Sequence, residues 1–90
     1  MNKGELVATI AEIGGITKVQ AEQALNRVLI NMAQAMEKGE RVSLSGFGSF
    51  RVVERVAQKG RNPQTGQSIT IPAHNVVKFR PAKMLWDRLQ

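Results

Sequence analysis

Lys59-Gly60-Arg61-Asn62-Pro63-Gln64-Thr65-Gly66 is the stretch whose reading decides the fold. Two glycines bracket a proline and residues that favour turns, which marks a reversal of the chain. On either side, Arg51 to Val56 and Ser68 to Ile71 are rich in strand-favouring side chains, so the reversal is predicted to close a long β-hairpin. Arg55, Lys59 and Arg61 lie on its approach side, with only Glu54 opposing them. An arm of this charge is suited to a polyanion.

Working outward from the hairpin, a period of two places Arg51, Val53 and Arg55 on one strand face and Glu54 on the other, which favours a basic face. Upstream, Arg41-Val42-Ser43-Leu44 alternates as a half-buried strand does, and Ser45-Gly46 marks a turn. Phe47 and Phe50 flank Gly48, where a missing side chain allows a bulge or a close backbone approach, and both rings read as core. Downstream, Ile69 and Ile71 share a face. Pro72 interrupts the ladder as a break or bulge, and Val76 to Arg80 resumes a strand. Pro81 suits the first turn of a last helix, Ala82 to Leu89, packed through Met84, Leu85 and Leu89, with Trp86 partly exposed.

The first forty residues read as two helices. Asn2 and Glu5 resemble a capping box, and Leu6, Ile10 and Ile13 recur at helical spacing until Gly14-Gly15. Thr17 and Gln20 repeat the signal and open a longer helix. Its stripe of Ala21, Ala24, Leu25, Val28, Leu29, Met32, Ala35 and Met36 runs to Gly39, and Ile30 and Ala33 widen it, as at a subunit interface. A helix-turn-helix reading is disfavoured. Lys18, Arg27 and Lys38 against Glu22 and Glu37 are too balanced for a recognition surface when stronger basicity lies downstream.

The chain of 90 residues is one domain, near the lower limit for a self-sufficient core, so a partner is expected to complete it. Its net charge of +6 is lopsided: residues 1 to 40 hold four Lys and Arg against five Glu, residues 41 to 90 nine against two acids. Cysteine is absent, which fits a reducing compartment and excludes a disulfide framework. There is no apolar run of membrane-spanning length and no secretory core after Met1, so a soluble, cytoplasmic protein is expected. The single histidine, His74, and the single aspartate, Asp87, lack a nucleophile or metal-ligand set around them, and His74 reads as a surface strand residue. No catalysis, cofactor, metal or small-molecule substrate is expected.

Of the polyanions, duplex DNA suits the hairpin tip. Proline presents a rigid apolar ring without an amide hydrogen and can wedge between base pairs, while Asn62, Gln64 and Thr65 supply short polar groups for minor-groove acceptors. Gly46-Phe47-Gly48-Ser49-Phe50, then Gly60 to Gly66, then Phe79-Arg80-Pro81-Ala82-Lys83, with Met1-Asn2-Lys3 at the start, resemble the bacterial histone-like HU proteins and their relative, integration host factor. The resemblance covers the whole chain. It implies an α+β fold: two N-terminal helices over residues 1–40, a three-stranded antiparallel sheet over 41–80 with a hairpin arm at about 55–72, and a short C-terminal helix over 81–90, in an intertwined homodimer. It further implies non-enzymatic bending and compaction of bent, nicked or flexible duplex DNA in the bacterial nucleoid. Carried over by position, Pro63 is the intercalating wedge and Arg61, Asn62 and Gln64 are tip contacts. Arg55 and Lys59 contact DNA along the arm, Lys3 and Lys83 hold the flanks, and Arg80 is a further DNA-binding residue. Gln58 stands where the arm often has a basic residue, and Ala82 where glycine is common. Two other readings stay open: a subunit of a sequence-specific, heterodimeric integration host factor, and an RNA-binding basic arm.

Overall fold

The computed structural model describes residues 1–90. Helix α1 (Lys3–Gly14) is capped by Asn2, whose Oδ1 accepts the Glu5 N–H at 2.9 Å. The Glu5 carboxylate turns instead to the N-terminal ammonium, 3.9 Å away, so the predicted box is half formed. Helix α2 (Lys18–Glu37) has the complete box: the Thr17 hydroxyl accepts from the Gln20 N–H and the Gln20 side-chain Oε1 from the Thr17 N–H, both at 3.1 Å.

The two helices meet through Val7, Ala11 and Ala21, with Ile10 and Leu25 packed alongside. This corrects the stripe expected on α1. Of Leu6, Ile10 and Ile13 only Ile10 packs here, and Ile13 is 82% exposed. Val7 and Ala11, four residues apart, form the face towards α2, and the two alanines let the backbones approach.

Strands β1 (Val42–Leu44), β2 (Gly48–Arg55) and β5 (His74–Pro81) form an antiparallel sheet in the order β1-β2-β5. Beyond it, β3 (Gln58–Arg61) and β4 (Ser68–Ile71) pair as a separate two-stranded ribbon. Arg55 lies opposite His74 and Gln58 opposite Ile71, which leaves two unpaired residues on each side, Val56–Ala57 and Pro72–Ala73. The register therefore passes through unchanged. Pro72, lacking an N–H, interrupts the ladder without inserting a bulge.

At Gly48 the alternatives resolve to a close approach. A Cβ there would stand 2.6 Å from the Arg80 carbonyl oxygen and 2.6 Å from the Phe79 ring. Phe79 in turn lies 4.8 Å from Phe50 and 5.5 Å from Phe47, centroid to centroid. Pro81 also departs from expectation. It is the last residue of β5, opposite Gly48, and α3 (Lys83–Arg88) begins two residues later with Ala82 as its cap. β5 is an edge strand, the place in a sheet where proline is tolerated. The Ala82 N–H donates to the Phe47 carbonyl at 2.9 Å, which ties α3 to the β1–β2 turn.

This body is unfinished as a single chain. Only 4 of 90 residues are buried, and the accessible surface is 7657 Å², where a compact 9.9 kDa monomer has about 5,200 Å². The radius of gyration, 18.6 Å, likewise exceeds the roughly 12 Å of a compact chain of this length. Part of the excess is the projecting arm. The rest is apolar: Val28, Leu29 and Ile30 on α2 and Phe47 in the β1–β2 turn are each about half exposed. No helix is long and apolar enough to cross a membrane.

Candidate nucleic-acid interface

The register fixes which side chains share a face. In an antiparallel pair, residues directly opposite point the same way and alternate along each strand. One face of β2–β5 therefore carries Ser49 with Arg80, Arg51 with Lys78, Val53 with Val76, and Arg55 with His74. The same parity in the ribbon gives Lys59 with Thr70 and Arg61 with Ser68. All six Lys and Arg residues between 48 and 81 fall in this one set. The opposite set is Gly48 with Pro81, Phe50 with Phe79, Val52 with Val77, Glu54 with Asn75, Gln58 with Ile71 and Gly60 with Ile69. It is apolar apart from Glu54, Asn75 and Gln58, and at its aromatic end Phe50 and Phe79 pack on one another.

No carboxylate neutralises the basic ladder. The only ion pair in the structure joins the N-terminus to Glu5, so Arg51, Arg55, Lys59, Arg61, Lys78 and Arg80 are all exposed and without an acidic partner. Arg51 opposite Lys78 is a like-charge cross-strand pair, which destabilises a sheet unless an anion lies over it.

The tip is a closed turn. The Asn62 N–H donates to the Gln67 carbonyl at 2.8 Å, and its own carbonyl accepts the Gly66 N–H at 2.7 Å. Gly66 sits at φ 72°, which its missing Cβ permits. The Asn62 Oδ1 accepts the Gln64 N–H at 2.9 Å and the Thr65 hydroxyl accepts the Gln67 N–H at 3.3 Å. Asn62 is thus first a scaffold of the turn. Pro63 stands exposed at its apex.

The remaining expected residues are placed separately. Arg80 and Lys83 line one groove with Ser43, Ser45 and Ser49, at the junction of sheet and α3. Lys3 opens α1 and lines another hollow with Lys18 and Glu22, away from the arm. The sequence reading omitted Lys78 and gave Arg51 no site role. Alternation supplied a signal for Arg51, whereas Lys78 needs the register that sets it opposite.

The family described as bacterial DNA-binding protein matches residues 1–90. The chain belongs to that family. DNA-binding protein HU of Geobacillus stearothermophilus is 47% identical over 90 residues, covering 100% of both chains. The HU protein of Staphylococcus aureus (strain COL) is 46% identical over the same full span. Among solved structures, an Anabaena HU–DNA cocrystal structure superposes with a TM-score of 0.89 at 43% identity, covering 99% of this chain and 97% of that one. HU from Thermotoga maritima gives 0.68 at 30% identity, with both chains wholly covered. The family thus extends over helices, sheet and arm alike.

Proposed function

We propose that two copies of this chain form an architectural protein that grips duplex DNA between their arms and bends it, with little choice of sequence. The observation that carries the reading is the two-faced hairpin, with six unpartnered cations on one side and a mostly apolar set on the other. Phosphates are the anions that relieve such a ladder. Binding through them is sequence-independent and weakens steeply with salt. The second copy covers the apolar surface of α2 and Phe47, and duplication supplies a second arm in symmetric relation to the first.

Arg55, Lys59 and Arg61 follow the backbone along the arm, while Arg80 with Lys83, and Lys3 apart from them, hold the duplex flanks. At the tip, the amides of Gln64, Gly66 and Gln67 are already bonded within the turn, and Pro63 has none. Its ring can enter a base step without stranding a donor, and the side-chain Nδ2 donors of Asn62 and Nε2 donors of Gln64 meet minor-groove acceptors. The HU–DNA complex of Anabaena supports duplex DNA as the partner. The bacterial nucleoid is the corresponding location.

Pro63→Ala tests the mechanism. It removes the wedge and keeps every phosphate contact, so bending measured by fluorescence transfer between duplex ends should fall markedly while affinity changes little, least of all on nicked DNA. An unchanged bend with collapsed affinity would overturn the wedge role.

A further inference from the structure

His74 is the one member of the ladder whose charge depends on physiological pH. It stands directly opposite Arg55 at the last pair before the arm separates from the sheet. Its ring is oriented: Nδ1 lies 2.9 Å from the Pro72 carbonyl, which can only accept, so Nδ1 carries the hydrogen and Nε2 is left facing outward. The groove around it is lined by Arg55 and Lys78 with Gln58, and no carboxylate reaches it. Glu54, the nearest acid in sequence, belongs to the opposite face, paired with Asn75.

We propose that His74 is a proton-dependent phosphate ligand, making the arm's hold on DNA tighten as pH falls through the imidazole range. The proposal rests on the DNA-binding reading above. In the free protein, Nε2 faces outward beside Arg55, with Lys78 further along the same face and no carboxylate in the groove. A phosphate lying across the pair favours the protonated ring, because Nε2–H and the guanidinium then both donate to anionic oxygen. The bound state therefore favours the proton more than the free state does. By linkage, binding takes up protons, and affinity rises on acidification. The Pro72 bond persists in both protonation states, so no ring rotation is required.

The test is the dissociation constant for a nicked duplex between pH 5.5 and 7.5 at fixed ionic strength, for the full-length protein and for His74→Gln and His74→Lys. An exposed charged contact suggests about threefold per site, hence about tenfold per dimer between the ends of the range. The glutamine variant should be flat. The lysine variant should hold the acid-side affinity throughout. All three proteins keep the same N-terminus and carboxylates, so any pH dependence from those groups cancels in the comparison. Superimposable pH profiles for the wild type and His74→Gln would overturn the proposal while leaving DNA binding intact. Absence of binding at every pH would overturn the parent reading and this one with it.

Discussion

Lys78 gives the sharpest test of the ladder, because only the observed register places it with the arm cations. It is exposed, opposite Arg51, and free of any acid. Lys78→Gln keeps a polar chain of similar reach and removes one positive charge per subunit, two per dimer. If each contacts one phosphate, the slope of log affinity against log salt should become shallower by about 1.8, twice the roughly 0.9 released per neutralised phosphate. With the two proteins equal near 1 M salt, the loss is then about sixtyfold at 0.1 M and about threefold to fourfold at 0.5 M. Fluorescence anisotropy of a labelled duplex across that salt range measures both quantities. Arg27→Gln, on α2, is the control: it changes net charge equally, away from the ladder, so its slope should match the wild type. A Lys78→Gln slope equal to that of the wild type would refute the assignment of the β2–β5 face as the phosphate surface. Equal slope losses for both variants would show that net charge, rather than the ladder, governs binding.

Two further outcomes follow from the body of the molecule. Gly48→Ala would drive a methyl group to 2.6 Å from the Arg80 carbonyl and the Phe79 ring. Overpacking of this kind costs about 1–3 kcal/mol, and the melting midpoint should fall by roughly 5–20 °C for a domain of this size. Gly60→Ala on the arm, where the nearest atom would be 3.7 Å away, should leave it within a few degrees, and equal midpoints for the two variants would refute the packing argument. The midpoint of the wild type should itself fall by about 8 °C on hundredfold dilution, the shift expected for a dimer that melts with about 0.7 kcal/mol of enthalpy per residue. A concentration-independent midpoint with a monomeric mass in solution would overturn the dimer.

Features set by neighbouring residues could be read directly. The tip is specified by Pro63, Gly66 and the Asn62 side chain within five residues, and the α2 cap by Thr17 and Gln20 within four. What depended on distant partners could not. Arg51 meets Lys78, and Arg55 meets His74, only after the register is fixed across the whole arm. On α1, apolar residues occupy so much of the circumference that periodicity does not select Val7 and Ala11 over Leu6 and Ile13; contact with α2 does. Pro81 illustrates two local solutions of similar quality, a first helical turn or an edge-strand end. The bond from Ala82 to Phe47 accompanies the second.

The chain carries two kinds of unsatisfied surface, and they respond to opposite conditions. The apolar side of α2 is driven to association by burial, which excluded salts such as sulfate strengthen. The ladder is driven by counterion release, which any salt opposes. Assembly and DNA binding are thereby separable, provided the repulsion among the arm cations is not transmitted to the core. The break at Val56–Ala57 and Pro72–Ala73 meets that requirement for the distal arm, since Lys59 and Arg61 lie on a ribbon with no ladder bonds to the sheet. A two-stranded ribbon is marginal in water on its own, so the charge there loosens the arm rather than the fold. Arg51, Lys78 and Arg80 lie on the body side, where the Phe47–Phe50–Phe79 cluster holds the strands from the opposite face. On the proposed reading, those three cations stand on strands already paired before DNA arrives, whereas Lys59 and Arg61 would become ordered with it. Body contacts should therefore contribute to encounter, and arm contacts to the lifetime of the complex.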